Sequence, residues 1–189
     1  MKLNNKYYIL RHGEALSNVR EIVSSWPEKF DNHLTEKGVK MIEKSAEELK
    51  DKNIDLIFAS DLLRTKQTAE TVGKELGLEP EYDKRLREVN FGDFSGKSIS
   101  KMWEYFEEET ERTEKGTPNG ENYTEILERL VSFLEDTDKK YKGKNILIIS
   151  HECPLFLLQG KVMGLSLEET IKNFPREERI HKGEVKELN

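Results

Sequence analysis

The chain has 189 residues, which is long enough for one α/β domain with a sizeable core but too short for two ordinary domains. Hydrophobic residues make up 35% and charged residues 36%, and the apolar residues fall in periodic segments, which argues against disorder. The formal net charge of −6 provides no overall basic field for nucleic acid or an anionic membrane, so any phosphate site must be a local positive pocket. We therefore expect a single domain over residues 1–189, with no nucleic-acid partner and no membrane partner.

The start of the chain and its cysteine content predict a cytoplasmic protein. The segment MKLNNKYYIL lacks the longer apolar region and the small-residue cleavage site of a signal peptide, and no window reaches transmembrane length. Cys153 is the single cysteine, which rules out an intramolecular disulfide and a thiolate zinc cluster. We interpret Cys153 as a small packed residue. A reactive thiol near a helix terminus is the alternative.

The first apolar run ends in residues that are typical of a functional site. Tyr7 to Leu10 predicts a buried strand that runs directly into Arg11, His12 and Gly13. On its own, such a triplet is no more than a polar strand end. In an open α/β sheet, however, ligands bind beyond the carboxyl ends of the strands, so His12 would lie where a ligand binds. The next segment, Ala15 to Ser25, is predicted to be a short helix or loop.

Two helix patterns flank the second predicted strand. Thr35 opens an amphipathic helix that extends to Lys50, and Ile54 to Ala59 predicts the strand. Asp61 is expected to cap a second helix, about Leu62 to Leu76, with Arg64 in its first turn. This alternation predicts a βαβ sheet. The residues expected to face inward are Val39, Ile42, Ala46 and Leu49 in the first helix and Ala69, Val72 and Leu76 in the second.

The alternation lapses between Pro80 and Gly120. We interpret residues 90–120 as an insert that covers the site, because this part of the chain mixes aromatic residues, glycines and a charge run. The stretch Glu107 to Glu111 is interpreted as a solvated helix face. The aromatic residues of the insert are interpreted as packing rather than as a platform for substrate: Trp103, Tyr105 and Phe106.

A second histidine follows a strand in the last third of the chain. Glu121 to Tyr141 predicts a long amphipathic helix that leads into the apolar run Ile146 to Ile149, which is followed by Ser150 and His151. If this strand and the first are parallel neighbours, both imidazoles lie at one edge of the sheet. Arg11 and Arg64 would converge on the same edge.

The fold that these elements predict is a three-layer α/β/α sandwich with a mostly parallel sheet. The segment Glu178 to Leu188 is expected to add an edge strand, and His33 and His181 are interpreted as surface residues. The glycines follow neither a Walker A nor a dinucleotide-binding spacing, and the histidines lack a metal-ligand spacing such as H-E-x-x-H. We therefore expect chemistry without a metal and without a cofactor.

Several separated motifs, in order, resemble those of the histidine phosphatase superfamily, the phosphoglycerate mutase-like family. Together they span about Tyr7 to Gly164 and are far more specific than the triplet Arg11-His12-Gly13 alone. The motifs are Arg11-His12-Gly13-Glu14 with Asn18, Leu34-Thr35 with Gly38, Ser60 with Arg64 and Gln67-Thr68-Ala69, Leu86 with Glu88 and Phe91-Gly92, Gly120-Glu121, and Ser150-His151.

The resemblance implies a role for each matching residue. His12 would attack the phosphorus atom and form a phosphohistidine, which requires an unprotonated ring nitrogen. Arg11, Arg64 and His151 would hold the phosphate oxygens. Glu88 would protonate the leaving alkoxide and then activate water, while its alternative is a surface charge. Asn18 and Ser24 are candidates for further contacts to substrate, with a purely structural role as the alternative.

The resemblance leaves the reaction class open. The segment LREVNFGDFSG is closer to the phosphatase form than to the mutase form, and the cover is short, which favours hydrolysis. The sequence thus predicts a metal-independent phosphoric monoester hydrolase of the histidine acid phosphatase type. The alternatives are cofactor-dependent mutase-type phosphoryl transfer and a non-catalytic module that binds a phosphorylated ligand. Expected partners are a small phosphorylated metabolite, or else a phosphoprotein, and a homodimer is compatible with the sequence.

One departure from the family pattern affects the substrate prediction. The second histidine is normally followed by glycine, but here Glu152 follows His151. A bulky acid is thereby placed beside the phosphate pocket, where it would restrict or tune the substrate. Asn122 also stands after Gly120-Glu121, where serine is frequent, but this change removes no catalytic group.

Overall fold

The computed structural model describes residues 1–189 and shows a central sheet flanked by helices. Three short 3-10 helices and one short α-helix lie in the connection between the third strand and the longest helix. The strands are β1 (Lys6–Arg11), β2 (Leu56–Ala59), β3 (Glu81–Tyr82), β4 (Asn145–Ser150) and β5 (Val185–Glu187). The helices are α1 (Leu16–Val19), α2 (Glu36–Leu49), α3 (Leu63–Leu76), α4 (Ile99–Trp103), α5 (Tyr123–Lys140), α6 (Glu152–Met163) and α7 (Leu167–Asn173).

The sheet has the strand order β3-β2-β4-β1-β5. The first four strands run parallel, and β5 lies antiparallel at the edge beside β1. Since β1 and β4 are parallel neighbours with Arg11 opposite Ser150, the residues that follow both strands emerge at the same edge. The predicted α/β sandwich with a mostly parallel sheet is confirmed, and so is the edge strand near the end of the chain.

Alternate residues of β1 and β4 face opposite sides of the sheet, as the two-residue period of a strand requires. Tyr7 and Ile9 pack into a core with α5 and α6, whereas Tyr8 and Leu10 pack into a second core with α2 and α3. The sheet is therefore buried on both faces, which holds its carboxyl edge as a rigid frame.

Helix α2 begins where the sequence predicts, since the Thr35 side chain accepts a hydrogen bond from the Gly38 backbone N–H at 3.0 Å. Its first turn lies so close to the loop after β1 that a Cβ at Gly38 would be 2.0 Å from the Glu14 carbonyl oxygen. Because the helix contacts that loop through Gly38, the neighbouring Val39 points away from it. The prediction that Val39 faces inward is wrong, since Val39 is 37% exposed.

Two further predictions are corrected by ion pairs. Asp61 does not cap α3, because its carboxylate accepts two hydrogen bonds of 2.6 Å from Arg87. Glu109 is not part of a solvated face, because it lies in a 3-10 helix and pairs with Arg179 at 2.9 Å. In both cases the carboxylate pairs with an arginine that is distant in the sequence.

The segment of residues 84–120 has no long helix and no strand. Phe106 is buried and Trp103 packs against the core, while Tyr105 is exposed. Their expected role in packing is thus confirmed for two of the three aromatic residues. None of the helices combines the length and the apolar character needed to cross a lipid bilayer.

Candidate active site

A cavity of about 140 Å³ opens at the carboxyl edge of the sheet. Side chains that follow β1, β2 and β4 line one side of it, and the segment of residues 84–120 lines another. Six of the seven residues that the sequence proposed for catalysis or substrate binding line the cavity: Arg11, His12, Asn18, Ser24, Arg64 and Glu88. The seventh, His151, is buried directly before the lining residues Glu152 and Cys153.

The imidazole of His12 is held in one tautomer. Its Nδ1 lies 2.7 Å from the Gly13 carbonyl oxygen, and its Nε2 lies 3.2 Å from the Nε of Arg64. An arginine N–H can only donate, so Nε2 accepts this bond and Nδ1 carries the proton. Burial, and then the charges of Arg64 and Arg11, lower the pKa of His12 well below its usual value. The Nε2 lone pair is therefore available at neutral pH.

Gly13 allows this arrangement because helix α2 lies against it. A Cβ at Gly13 would be 2.6 Å from the Gly38 carbonyl oxygen. A side chain at this position would push the helix away from the loop that carries His12.

His151 lies beside His12, with the two ring centroids 5.1 Å apart and an angle of 63° between the planes. Its Nε2 is 2.9 Å from the Ser60 hydroxyl, while its Nδ1 is buried without a hydrogen-bond partner. Burial, followed by the charge of Arg64, lowers the pKa of His151 as well. The ring is thus neutral and has one nitrogen that no protein atom satisfies.

Each nitrogen of the Arg64 guanidinium has a partner in the protein. Its Nη1 donates to a Glu28 carboxylate oxygen at 3.1 Å and its Nη2 lies 3.4 Å from the Ser24 carbonyl oxygen. The other Glu28 oxygen accepts from the Leu63 backbone N–H at 3.2 Å, at the start of α3. These contacts hold the guanidinium with one edge toward His12.

Arg11 is bound by the unusual acid that follows the second histidine. Its Nη1 lies 2.5 Å from a Glu152 carboxylate oxygen and donates to the Ile180 carbonyl oxygen at 3.0 Å. Its Nε is buried without a partner. The Glu152 side chain is about one-third exposed, at 32%, so it can move away from Arg11 into solvent. An anion that binds Arg11 must therefore compete with Glu152.

Glu88 faces the same cavity on a segment that is tied down through its backbone. The Arg129 side chain donates to the carbonyl oxygens of Arg85 at 2.6 Å, Arg87 at 2.8 Å and Glu88 at 3.2 Å. Burial raises the pKa of the Glu88 carboxyl group, although the charge of Arg64 acts in the opposite direction. A carboxyl group with a raised pKa can deliver a proton near neutral pH.

The two candidates for further substrate contacts differ in how their side chains are used. The Asn18 Oδ1 accepts from the Ala15 backbone N–H at 2.9 Å, so its amide oxygen caps the short helix α1. The Ser24 hydroxyl accepts from Asn32 Nδ2 at 2.9 Å. Both residues line the cavity, and both also have the structural contact that was the alternative.

Cys153 is buried, and burial raises the pKa of its thiol to about 12. This agrees with a packed residue and contradicts a reactive thiolate at the helix terminus. No three histidine, cysteine or carboxylate side chains lie close enough together to hold a metal ion.

Sequence reasoning missed Glu28, Arg112 and Arg129, although all three shape the cavity or hold its walls. Glu28 lies in a turn-rich connection, and Arg112 lies next to the stretch of acids that looked like a solvated face. Arg129 is on the helix that was predicted correctly, but its partners are carbonyl oxygens that no pattern marks. Only a buried tertiary contact distinguishes these residues from surface charges.

Comparison with known proteins gives the context for this cavity. The family model of the histidine phosphatase superfamily (branch 1) matches residues 7–178. The probable phosphoglycerate mutase GpmB of Escherichia coli O1:K1 is 31% identical over 163 residues, which cover 84% of this chain and 74% of that protein.

Two solved structures superpose over nearly the whole chain. Bacillus stearothermophilus YhfR has a TM-score of 0.82 at 23% identity, with 96% of this chain and 89% of that chain covered. The α-ribazole phosphatase of Shigella flexneri has a TM-score of 0.78 at 25% identity, with coverage of 95% and 88%.

Proposed function

The chain belongs to the histidine phosphatase superfamily, and on that premise we propose that it hydrolyses a phosphomonoester through a phosphohistidine on His12. One observation carries the proposal: the Nε of Arg64 donates to the Nε2 of His12 at 3.2 Å, which requires that this nitrogen be unprotonated. A nucleophile that is neutral, buried and surrounded by cations suits attack on a dianionic phosphate group. The similarity to an α-ribazole phosphatase supports the same reaction class.

In the first step, the Nε2 lone pair of His12 forms a bond to phosphorus as the bond from phosphorus to the ester oxygen breaks. Arg64 and Arg11 donate to the non-bridging oxygens, with Arg11 released from Glu152 as the phosphate enters. His151 Nδ1, which has no partner in the protein, carries the proton in the tautomer that donates to phosphate, with Nε2 accepting from Ser60. The charge that develops in the transition state then meets donors that are already in place.

Glu88 supplies the proton for the leaving oxygen, so that an alcohol rather than an alkoxide departs. In the second step, the ionised Glu88 removes a proton from water, and the oxygen of that water attacks the phosphohistidine. Inorganic phosphate leaves, and both His12 and Glu88 return to their starting protonation states. Burial raises the pKa of the Glu88 carboxyl group, so Glu88 stays protonated at pH values closer to neutral than an exposed glutamate does. This supports Glu88 in the acid role.

Mutase-type phosphoryl transfer is the second candidate, favoured by similarity to proteins named probable phosphoglycerate mutase. A mutase must protect its phosphohistidine from water and return the phosphoryl group to the organic intermediate. A phosphatase, in contrast, needs only to let water reach the phosphohistidine. The short cover of residues 90–120 favours hydrolysis, and the products formed from 3-phosphoglycerate distinguish the two reactions: inorganic phosphate for a phosphatase, 2-phosphoglycerate for a mutase.

Turnover of p-nitrophenyl phosphate in EDTA tests the proposal. We expect the wild type to remain active in EDTA and to trap an acid-labile phosphoryl group, whereas His12→Ala loses roughly 10⁴-fold or more in kcat, as for removal of other catalytic nucleophiles. His181→Ala is the matched control, since His181 is exposed and should leave turnover unchanged.

Turnover that persists in His12→Ala would contradict the proposal, and so would loss of wild-type activity in EDTA. A wild type that binds phosphate but turns over no ester would instead favour the non-catalytic binding module.

A further inference from the structure

The acid that follows the second histidine lies on the side of the cavity where the alcohol of the substrate would leave. Glu152 is the first residue of α6, and it lines the cavity together with Glu88. Burial raises the pKa of the Glu88 carboxyl group most, and the negative charge of Glu152 raises it further, so the two carboxyl groups are close enough to interact. Since Glu88 is proposed to protonate the leaving oxygen, the alcohol would lie within reach of Glu152.

The Glu152 carboxylate can change its partner. One of its oxygens lies 2.5 Å from Nη1 of Arg11, which is the only cation with which it pairs. The other acid of the phosphate site is held twice, because Glu28 accepts from Arg64 at 3.1 Å and from the Leu63 backbone N–H at 3.2 Å. Glu152 has no such second contact, and its side chain is 32% exposed. It is therefore the acid that can release its arginine to an incoming phosphate.

The two other arginines that line the cavity do not pair with Glu152. Arg179 is bound to Glu109 at 2.9 Å. Arg112 is 3% exposed and lies among aromatic rings, with centroids at 4.3 Å and 5.0 Å from its guanidinium carbon. Once Glu152 has released Arg11, the cavity as it stands offers the carboxylate no cation of the protein in ion-pair contact.

The consequence for binding depends on the charge of the alcohol. A phosphate ester with a neutral alcohol breaks the ion pair of Arg11 with Glu152 and replaces only the partner of Arg11. An ester that also carries an ammonium group exchanges both partners, because the phosphate pairs with Arg11 and the ammonium group pairs with Glu152. A carboxylate that loses its cation in a partly buried place is destabilised, so the exchange favours the cationic ester.

We propose that Glu152 forms a cation subsite that selects phosphate esters of amino alcohols, with the ammonium group on the leaving-group half of the substrate. This inference rests on the proposed function, since it assumes that the phosphate group lies at His12 and displaces Glu152 from Arg11. The cavity of about 140 Å³ is smaller than the ~300–1,000 Å³ pockets of drug-sized ligands, so the amino alcohol is a small one.

The remaining lining of the cavity predicts the opposite preference. It includes the apolar side chains of Ile22, Val23, Ile99 and Met102. If these side chains alone recognise the alcohol, an alkyl group binds better than an ammonium group of the same size. O-Phosphoethanolamine and propyl phosphate form a matched pair for this question, because they differ only in the terminal ammonium or methyl group.

Equilibrium binding to the His12→Ala protein, measured by titration calorimetry, tests the subsite without turnover. The buffer is alkaline enough that both phosphate groups are dianions. We expect O-phosphoethanolamine to bind roughly 5-fold more tightly than propyl phosphate, as for an ion pair with a partly exposed carboxylate. This comparison requires no change at Glu152.

Glu152→Gln in the same His12→Ala protein should shift the two affinities in opposite directions, each by roughly 3-fold. O-Phosphoethanolamine loses its partner, whereas propyl phosphate no longer competes with an anion for Arg11. A change in the position of Arg11 alone would act equally on both phosphates. Glu168→Gln on α7 is the control and should keep the preference, because Glu168 is exposed outside the cavity.

Equal affinity for the two esters, or tighter binding of propyl phosphate to the His12→Ala protein, would overturn the inference. A shift of both affinities in the same direction by Glu152→Gln would overturn it as well. If Glu152→Gln does not fold, Glu152→Asp keeps the charge and should retain part of the preference. The proposed function is judged separately, from wild-type turnover of p-nitrophenyl phosphate, which has no ammonium group.

Discussion

The two walls of the cavity are built in different ways. His12 and His151 follow adjacent parallel strands, and the His12 backbone N–H donates to the Ser150 carbonyl oxygen at 3.1 Å, which continues the sheet. Arg112, in contrast, lies in a segment of short helices and loops outside the sheet. The comparison indicates that the two histidines proposed for phosphoryl transfer are fixed by backbone pairing within the sheet. Residues 84–120 lie outside the sheet, so this wall can vary in sequence without disturbing strand pairing.

The largest effect is expected at Glu88, which lies on the wall formed by residues 84–120. Glu88→Gln should reduce turnover of an alkyl phosphate by roughly 10²–10⁴-fold, the usual contribution of a positioned acid. The burial that raises the Glu88 pKa keeps the acid form to higher pH, and the rate should fall as pH rises through that pKa. Glu88→Gln has no ionisable group at this position, so the variant should lose this decrease in rate at alkaline pH. Because the pKa of His12 is low, the decrease in rate that its protonation causes lies on the acidic side of the pH profile.

Two ester substrates check the assignment of Glu88. The leaving group of p-nitrophenyl phosphate departs readily as an anion, so Glu88→Gln should affect its turnover far less than that of an alkyl phosphate. An equal loss of turnover on both substrates would show that another group donates the proton. A decrease in rate at alkaline pH that persists in the variant would show the same.

A somewhat smaller effect is expected from Arg64, on the sheet side of the cavity. Arg64→Met should lower kcat by roughly 10²–10³-fold, as when one donor to a developing negative charge is removed. The loss should be similar for esters with different leaving groups, because Arg64 lies beside His12, where the proposed reaction holds the phosphate group. Lys66→Met on the same helix is the control. A loss confined to one class of leaving group would erase the distinction between the two walls.

The smallest effect is expected at Glu152, which competes with phosphate for Arg11. Glu152→Gln should lower KM and the inhibition constant of inorganic phosphate several-fold, within the roughly 1–3 kcal/mol of a charge-assisted contact. Steady-state kinetics with added phosphate measures both constants, and Glu168→Gln on α7 is the control. A rise in KM would mean instead that Glu152 holds Arg11 in its working position.

The sheet and its histidines could be predicted because their signals are local. Tyr7 to Leu10 and Ile146 to Ile149 are apolar runs that end in polar residues, and parallel pairing brings such ends together. The start of α2 at Thr35 followed from one capping residue. Each of these features depends on a few consecutive residues and on rules that hold in most α/β sheets.

The covering wall could not be predicted because its interactions join distant parts of the chain. Arg112 sits in a run of charges, and only its position among aromatic side chains distinguishes it from a surface residue. Asp61 has the sequence context of a helix cap, but pairing with Arg87 gave it another partner. Val39 fits the helical period, yet the close approach at Gly38 turns it to solvent. Periodicity carries no information about such contacts.

The order of strands in the sheet also has a consequence for synthesis of the protein on the ribosome. Strand β1 carries Arg11 and leads to His12, but its neighbours β4 and β5 both come from the last quarter of the sequence. During translation, the first strand must therefore wait for partners that leave the exit tunnel long after it. Since pairing over such long sequence separations is slow, the nascent chain exposes the apolar run Tyr7 to Leu10 at least until β4 has been synthesised. A nascent chain that stops before β4 lacks His151 and with it part of the proposed phosphate site.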